Sequence, residues 1–342
     1  MRDVFIVNVN INIGAGQNQG AMLETATEIA VSLDDTIKGK QQPWRKKKNK
    51  SLKLATALHA LGQKKRANRV YWCSDVLGFQ EDAETGKKTL KTALFCRERL
   101  CVMCSWRKSI KMFYQLSKVM DVAQEEKTDI KPIFLTLTVR NCKGEELKDV
   151  LGMMFKGWKS LMEHRKIRDI QEGWFRALEV TYNEKSDTYH PHFHALIMVK
   201  KSYFLGTKYL TTQDWIHLWK VSCKLDYSPI CDVRAIKTEA PRKHKHIAEV
   251  AKYTVKDADY IFKDEQLTAK VVDVLGQALK GRRLYAFGGY LKDVAKRLKA
   301  DDPEKGDLVN IEGDFDIRED VADNLLAIYK WDFVSGDYIR QD

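Results

Sequence analysis

The stretch Tyr189-His190-Pro191-His192-Phe193-His194-Ala195-Leu196-Ile197-Met198 decides the fold. Side chains alternate with period two along a strand, so His190, His192 and His194 share one side. The apolar continuation from Ala195 to Val199 makes this a sheet strand running into a core rather than a solvated polar edge. Buried imidazoles without partners are costly, and imidazole is the commonest neutral metal ligand, so a bound cation is the economical reading of three aligned copies.

Working outward, residues 173–182 read as a second strand, joined to 189–199 through the polar loop Asn183-Glu184-Lys185-Ser186-Asp187-Thr188. Such a loop suits a hairpin. Centring it between Lys185 and Ser186 sets Glu179 opposite His192 and Ala177 opposite His194, at Cβ separations of about 4.5–5.5 Å. Glu179 is then placed to join His192 and His194 around one ion; a register slip of one residue would turn it to the other face. Two nitrogens and a carboxylate suit Mn2+ or Mg2+ in a phosphate-processing enzyme, and zinc also fits. His190 either completes the site or contacts DNA.

Further strands are expected at 131–140, where KPIFLTLTVR alternates apolar and small polar residues, and at 230–238. Helical periodicity marks 105–123, 145–165, 212–224, 244–262 and 290–299, and alternating aromatics around Ser335-Gly336-Asp337 suggest a terminal hairpin at 325–340. The order β-α-β-β-α-β-α predicts an α+β fold, an antiparallel sheet with flanking helices in a ferredoxin-like or RRM-like outline. Four parts follow: a partly disordered N-terminal arm at 1–50, a helical region with a Cys-rich segment at 51–128, the histidine-bearing domain at 129–300 and an acidic tail at 301–342.

Charge separates these parts. The net charge of +12 conceals a tail with 13 acidic and 4 basic residues, which leaves +21 on the first 300 residues. A basic body of this size favours nucleic acid or another anionic partner. The tract Trp44-Arg45-Lys46-Lys47-Lys48 reads as a solvated arm, and the tail as a solvated terminal segment rather than a DNA mimic folded over the basic groove. No apolar run is long enough to span a membrane, and no secretory leader is expected, so a cytoplasmic location is expected.

Two further groups carry chemistry. In Glu249-Val250-Ala251-Lys252-Tyr253-Thr254-Val255-Lys256, helical spacing puts a carboxylate, a phenol and an ammonium on one stripe. A tyrosine nucleophile needs nearby positive charge, which Lys256 and a metal-bound phosphate would supply. The upstream cations Arg242, Lys243 and Lys245 would grip a phosphate backbone. Cys96, Cys101 and Cys104 have C-x4-C-x2-C spacing and Cys73 offers a fourth thiol, a set suited to a closed tetrahedral Zn2+ site that holds structure. Cys142, Cys223 and Cys231 read as buried or incidental thiols.

Phe134-Leu135-Thr136-Leu137-Thr138, then His190-Pro191-His192-Phe193-His194, then Glu249-x3-Tyr253-x2-Lys256 resemble, in that order, the three motifs of the HUH endonuclease superfamily. More narrowly they resemble the rolling-circle replication initiators (Rep) of small plasmids from Gram-positive bacteria. Ser105-Trp106-Arg107, Gly281-Arg282-Arg283 and Phe287-Gly288-Gly289 extend the likeness over about 70–300. The resemblance implies an HUH domain at 129–300 that nicks and transfers DNA strands at a plasmid double-strand origin, with Tyr253 forming a 5′-phosphotyrosyl link. It implies that Glu249 activates water for a second cleavage and that a host helicase is a partner; a homo-oligomer is compatible with it. Conjugative relaxases place the tyrosine ahead of the histidines, and single-tyrosine transposases are shorter and lack the four cysteines. A non-enzymatic zinc-containing nucleic-acid-binding regulator would leave the histidines and the Glu-Tyr-Lys stripe without purpose.

Overall fold

The computed structural model describes residues 31–37, 39–82, 86–236, 247, 256–300, 302, 305–311 and 325–341. The short strands β1 (Thr36–Ile37) and β2 (Lys40–Gln41) precede helices α1 (Trp44–Ala60) and α2 (Lys64–Tyr71). Strands β3 (Val76–Glu81) and β4 (Lys88–Ala93) lead through the cysteine segment to α3 (Val102–Glu126). Then come β5 (Ile130–Thr138), α4 (Leu147–Glu163), α5 (Arg165–Arg168), β6 (Gln171–Asn183), β7 (Thr188–Lys200), α6 (Thr212–Cys223) and β8 (Cys231–Ala235). Helix α7 (Glu265–Leu279), β9 (Tyr285–Gly288), α8 (Gly289–Arg297) and the hairpin β10 (Leu325–Asp332) and β11 (Asp337–Gln341) follow.

The central sheet runs β8-β5-β7-β6-β9, every neighbouring pair antiparallel. Counting β5, β6, β7 and β8 as the four strands of a βαββαβ unit gives spatial order 4-1-3-2, the ferredoxin-like arrangement expected from the sequence, with β9 added outside β6. The fold is α+β with antiparallel sheets flanked by helices.

Helices α4 and α6 cover one face of this sheet. Phe193 is wholly buried there, with its ring edge-on to Phe155 and Trp158 of α4 and Trp219 of α6. The Trp219 indole donates to the Thr138 carbonyl at 2.8 Å, locking α6 to β5. Arg176 enters the same layer, its guanidinium 4.5 Å and 4.6 Å from the Phe155 and Phe193 ring centres; burial, then the neighbouring Arg283, brings its pKa down to about 10. His192 and His194, one residue either side of Phe193, therefore face the opposite side.

A second antiparallel sheet, β11-β10-β3-β4, joins the chain's end to residues near its beginning. The terminal hairpin is present, and its turn passes through Gly336 at φ +62°, a left-handed conformation that glycine adopts without strain. Trp331 and Tyr338 are buried, and the Tyr338 hydroxyl donates to the Ser74 carbonyl at 2.7 Å.

The tract Trp44–Lys48 is not a solvated arm but the start of α1. Trp44 is buried edge-on against Phe79 and Trp106. Lys48 is fully buried, and burial lowers its pKa; its ammonium donates to the Tyr71 and Cys73 carbonyls at 2.8 and 2.9 Å and faces Asp75 at 3.7 Å. Charge alone could not reveal this, because the acceptors lie more than twenty residues away.

Candidate metal centre and DNA-processing site

The β6–β7 turn fixes the register on which the site depends. Asn183 Oδ1 accepts from the Lys185 and Ser186 amides at 3.0 and 3.3 Å, the Tyr182 hydroxyl donates to Asp187 at 2.8 Å, and Asp187 takes a positive φ. Asn183 pairs with Thr188 and the ladder runs on to Glu179 opposite His192 and Ala177 opposite His194, the register read from the sequence.

On that face the Nε2 atoms of His192 and His194 lie 3.1 and 2.9 Å from one oxygen, Glu179 Oε2. Each ring is oriented from behind. His192 Nδ1 stands 3.3 Å from the His190 carbonyl, which can only accept, and His194 Nδ1 stands 3.1 Å from Thr136 Oγ1. With Nδ1 donating, His192 presents a lone pair to a carboxylate unless a proton or a metal ion supplies positive charge between them. Glu179 is buried, which opposes ionisation, but its polar contacts with His192, His194 and Lys256 outweigh burial and hold its carboxyl well below the ordinary range.

The ligand atoms of Glu179, His192 and His194 all lie within 4.8 Å of one another, and this donor set fits a divalent cation. His190 is outside that group. Its ring centre is 5.3 Å from that of His192, and it lines an open groove with Asn141, Thr181 and Lys185. Burial, then the neighbouring His192, lowers its pKa.

Lys256 reaches the centre from another part of the chain, its Nζ 2.7 Å from Glu179 Oε1. The turn after it is tied down twice. Asp257 pairs with Lys50 at 2.8 Å and Lys47 at 3.4 Å on α1, and the buried Tyr260 hydroxyl donates to the Leu100 carbonyl at 2.7 Å. Glu249 and Tyr253, with Arg242, Lys243 and Lys245, lie outside the described residues.

The second group joins three separated elements: Cys73 after α2, Cys96 after β4, and Cys101 with Cys104 at the start of α3. The Sγ contacts are 3.5 Å for Cys73–Cys104, 3.6 Å for Cys73–Cys101 and 3.7 Å for Cys96–Cys104. A tetrahedron with Zn–S bonds of about 2.3 Å has edges of about 3.8 Å, so the four sulfurs fit one Zn2+ ion. Backbone amides of Cys96, Arg97 and Glu98 donate to these sulfurs at 3.3–3.4 Å, as they would to sulfur ligands of a metal ion. Arg97 turns the chain at φ +57°.

Sequence reading missed Thr136, Asp257 and Tyr260. Thr136 could have been found, because β5 pairs with β7 and sets Thr136 opposite His194. The other two act across long sequence separations and leave no local signal.

The replication protein family matches residues 87–339. A "Protein rep" from Bacillus amyloliquefaciens is 39% identical over 333 residues, covering 90% of this chain and 97% of the relative. The chain belongs to the replication protein family. Another "Protein rep", from Streptococcus pneumoniae serotype 2, is 37% identical and covers 90% of this chain and 95% of its own length. A "Replication protein" from Staphylococcus aureus is 37% identical over 64% of this chain and 94% of its own. No solved structure matches. Membership carries the likeness to the rolling-circle Rep initiators, first seen in three motifs, over most of this replication protein's length. Among the described residues no helix is long and apolar enough to cross a membrane.

Proposed function

We propose that this replication protein initiates plasmid replication by nicking and rejoining one DNA strand at the double-strand origin. The observation that carries the reading is the convergence of Glu179, His192 and His194 on one point, with Lys256 of the third motif on the same carboxylate. Glu179, His192 and His194 would hold Mn2+ or Mg2+, which when bound polarises the scissile phosphate and offsets charge developing on its oxygens.

The Tyr253 phenolate attacks the phosphorus, an O–P bond forms to the 5′ side, and the departing 3′ oxygen takes a proton to become a free hydroxyl primer. One phosphodiester replaces another, so the step is reversible. Lys256 lowers the cost of the phenolate and of the crowded phosphate by adding positive charge beside them. Glu249, four residues before Tyr253 in the sequence, activates water for the cleavage that ends the cycle. Arg242, Lys243 and Lys245 take backbone phosphates, and His190, in the open groove, contacts DNA. The four cysteines hold Zn2+ as a structural centre. Origin DNA, single-stranded or extruded as a hairpin, is the substrate, and a host helicase is the partner that unwinds the plasmid behind the nick.

The test is incubation of the full chain with labelled single-stranded origin oligonucleotide and Mn2+, resolved on a denaturing gel. A metal-dependent protein–DNA adduct that is lost in Tyr253→Phe supports the reading; DNA binding without an adduct from any origin strand overturns it.

A further inference from the structure

Three exposed aromatic rings meet where α2 ends and the β10–β11 turn arrives. Tyr71 and Phe333 are stacked, with ring centres 5.0 Å apart and planes within 6°. Trp72 stands edge-on to both, at 5.0 and 6.0 Å. Its indole is aimed by a 3.1 Å hydrogen bond to Asn68 Oδ1. The three remain 38%, 47% and 41% exposed for Tyr71, Trp72 and Phe333, so the cluster presents contiguous aromatic surface to solvent.

What adjoins the rings indicates the ligand. Helix α2 carries Lys64, Lys65, Arg66 and Arg69 and no acidic residue. Arg66 and Arg69 pair with Glu98, whereas Lys64 and Lys65 are exposed and make no ion pair among the described residues. Lys64, Asn68 and Trp72 follow at intervals of four, so one stripe runs from ammonium to indole over about 12 Å. An apolar protein partner would answer the rings and leave both lysines unanswered. A single nucleic-acid strand answers both, with unpaired bases for the rings and phosphates for the ammonium groups.

We propose that Tyr71, Trp72 and Phe333 form a stacking platform for single-stranded DNA, with Lys64 and Lys65 taking its phosphates. The proposal rests on the reading that this protein handles DNA, and it adds a second contact for a strand apart from the Glu179 centre. Stacking needs no base-specific hydrogen bond, so the platform is indifferent to origin sequence.

The experiment is fluorescence anisotropy of a short labelled oligothymidine of non-origin sequence with the full chain. Trp72→Ala is expected to weaken binding about tenfold, the size of one lost base stack. Trp72→Phe keeps most of the affinity, and Lys64→Ala with Lys65→Ala weakens binding and flattens its salt dependence. Photocrosslinking with iodouracil in the strand is expected to label Tyr71, Trp72 or Phe333, a readout that does not depend on the stability of any variant. Wild-type affinity in Trp72→Ala, or crosslinks found only elsewhere, would overturn the proposal and leave the patch to a protein partner. The nicking reading is scored by adduct formation on origin strands and this one by binding of a non-origin strand, so loss of one and loss of the other are separate results.

Discussion

Lys256 Nζ lies 2.7 Å from Glu179 Oε1, while Oε2 of the same carboxylate faces both imidazole Nε2 atoms. The described end of the Glu-Tyr-Lys motif thus reaches the histidine centre although 77 positions separate the two residues in sequence. If Lys256 supplies charge to the reacting phosphate, Lys256→Ala lowers the single-turnover rate of adduct formation about a hundredfold, the usual loss for one transition-state donor. An unchanged rate would remove Lys256 from the chemistry.

Asp257 anchors that segment to α1, and its ionisation is linked to stability. Burial opposes its charge, but Lys50 and Lys47 outweigh burial and hold its pKa below the ordinary 3.8. A carboxyl depressed on folding stabilises above its unfolded pKa and loses that contribution as pH falls through the folded one. Asp257→Asn is expected to cost about 2 kcal/mol near neutrality. In thermal melts, the gap between wild type and variant should close as pH drops below 3.8; a gap independent of pH would deny the ion pair its role.

Zinc removal should act on the fold rather than directly on the histidine centre. Metal analysis of the full chain is expected to find about one Zn2+ on the cysteines. Cys101→Ser should lose it along with several kcal/mol of stability. Cys223→Ser, whose buried thiol lies outside the cluster and is pushed up to about 12 by burial, should keep the zinc. Equal zinc content in both variants would place the metal elsewhere.

The two faces of β7 should separate in their effects. Phe193→Ala empties a site closed by Phe155, Trp158 and Trp219 and should cost about 3–5 kcal/mol. His194→Ala, one residue on and partly exposed, should cost less stability in chemical denaturation and far more cation affinity. The reverse ranking would mean that the strand faces are misassigned.

The histidine centre was legible because every signal for it was local: alternation in β7, a polar loop of hairpin length and a carboxylate at the opposing position. The ferredoxin-like outline followed from element order, whereas the spatial order 4-1-3-2 rests on the pairing of β5 with both β7 and β8. Strand β3 lies between β4 and β10, and its second partner is some 250 residues away, as Leu77 opposite Tyr329 illustrates, so that half of its pairing left no local signal. Helix α7 was missed although its signals are present: Asp264 accepts from the Gln266 and Leu267 amides, and Val271, Val272 and Leu275 recur at helical spacing. The burial of Lys48 and the Tyr260–Leu100 bond depend on distant backbone carbonyls, which no pattern of side chains announces.

The measurement that bears most directly on the central claim is Mn2+ binding to the full chain by calorimetry, comparing wild type with the His192→Ala, His194→Ala double variant. One site per chain that vanishes in the double variant, while the chain stays folded and keeps its zinc, is the predicted result. Undiminished Mn2+ binding in the double variant would contradict the assignment of Glu179, His192 and His194 as a metal centre, and with it the chemistry built on them.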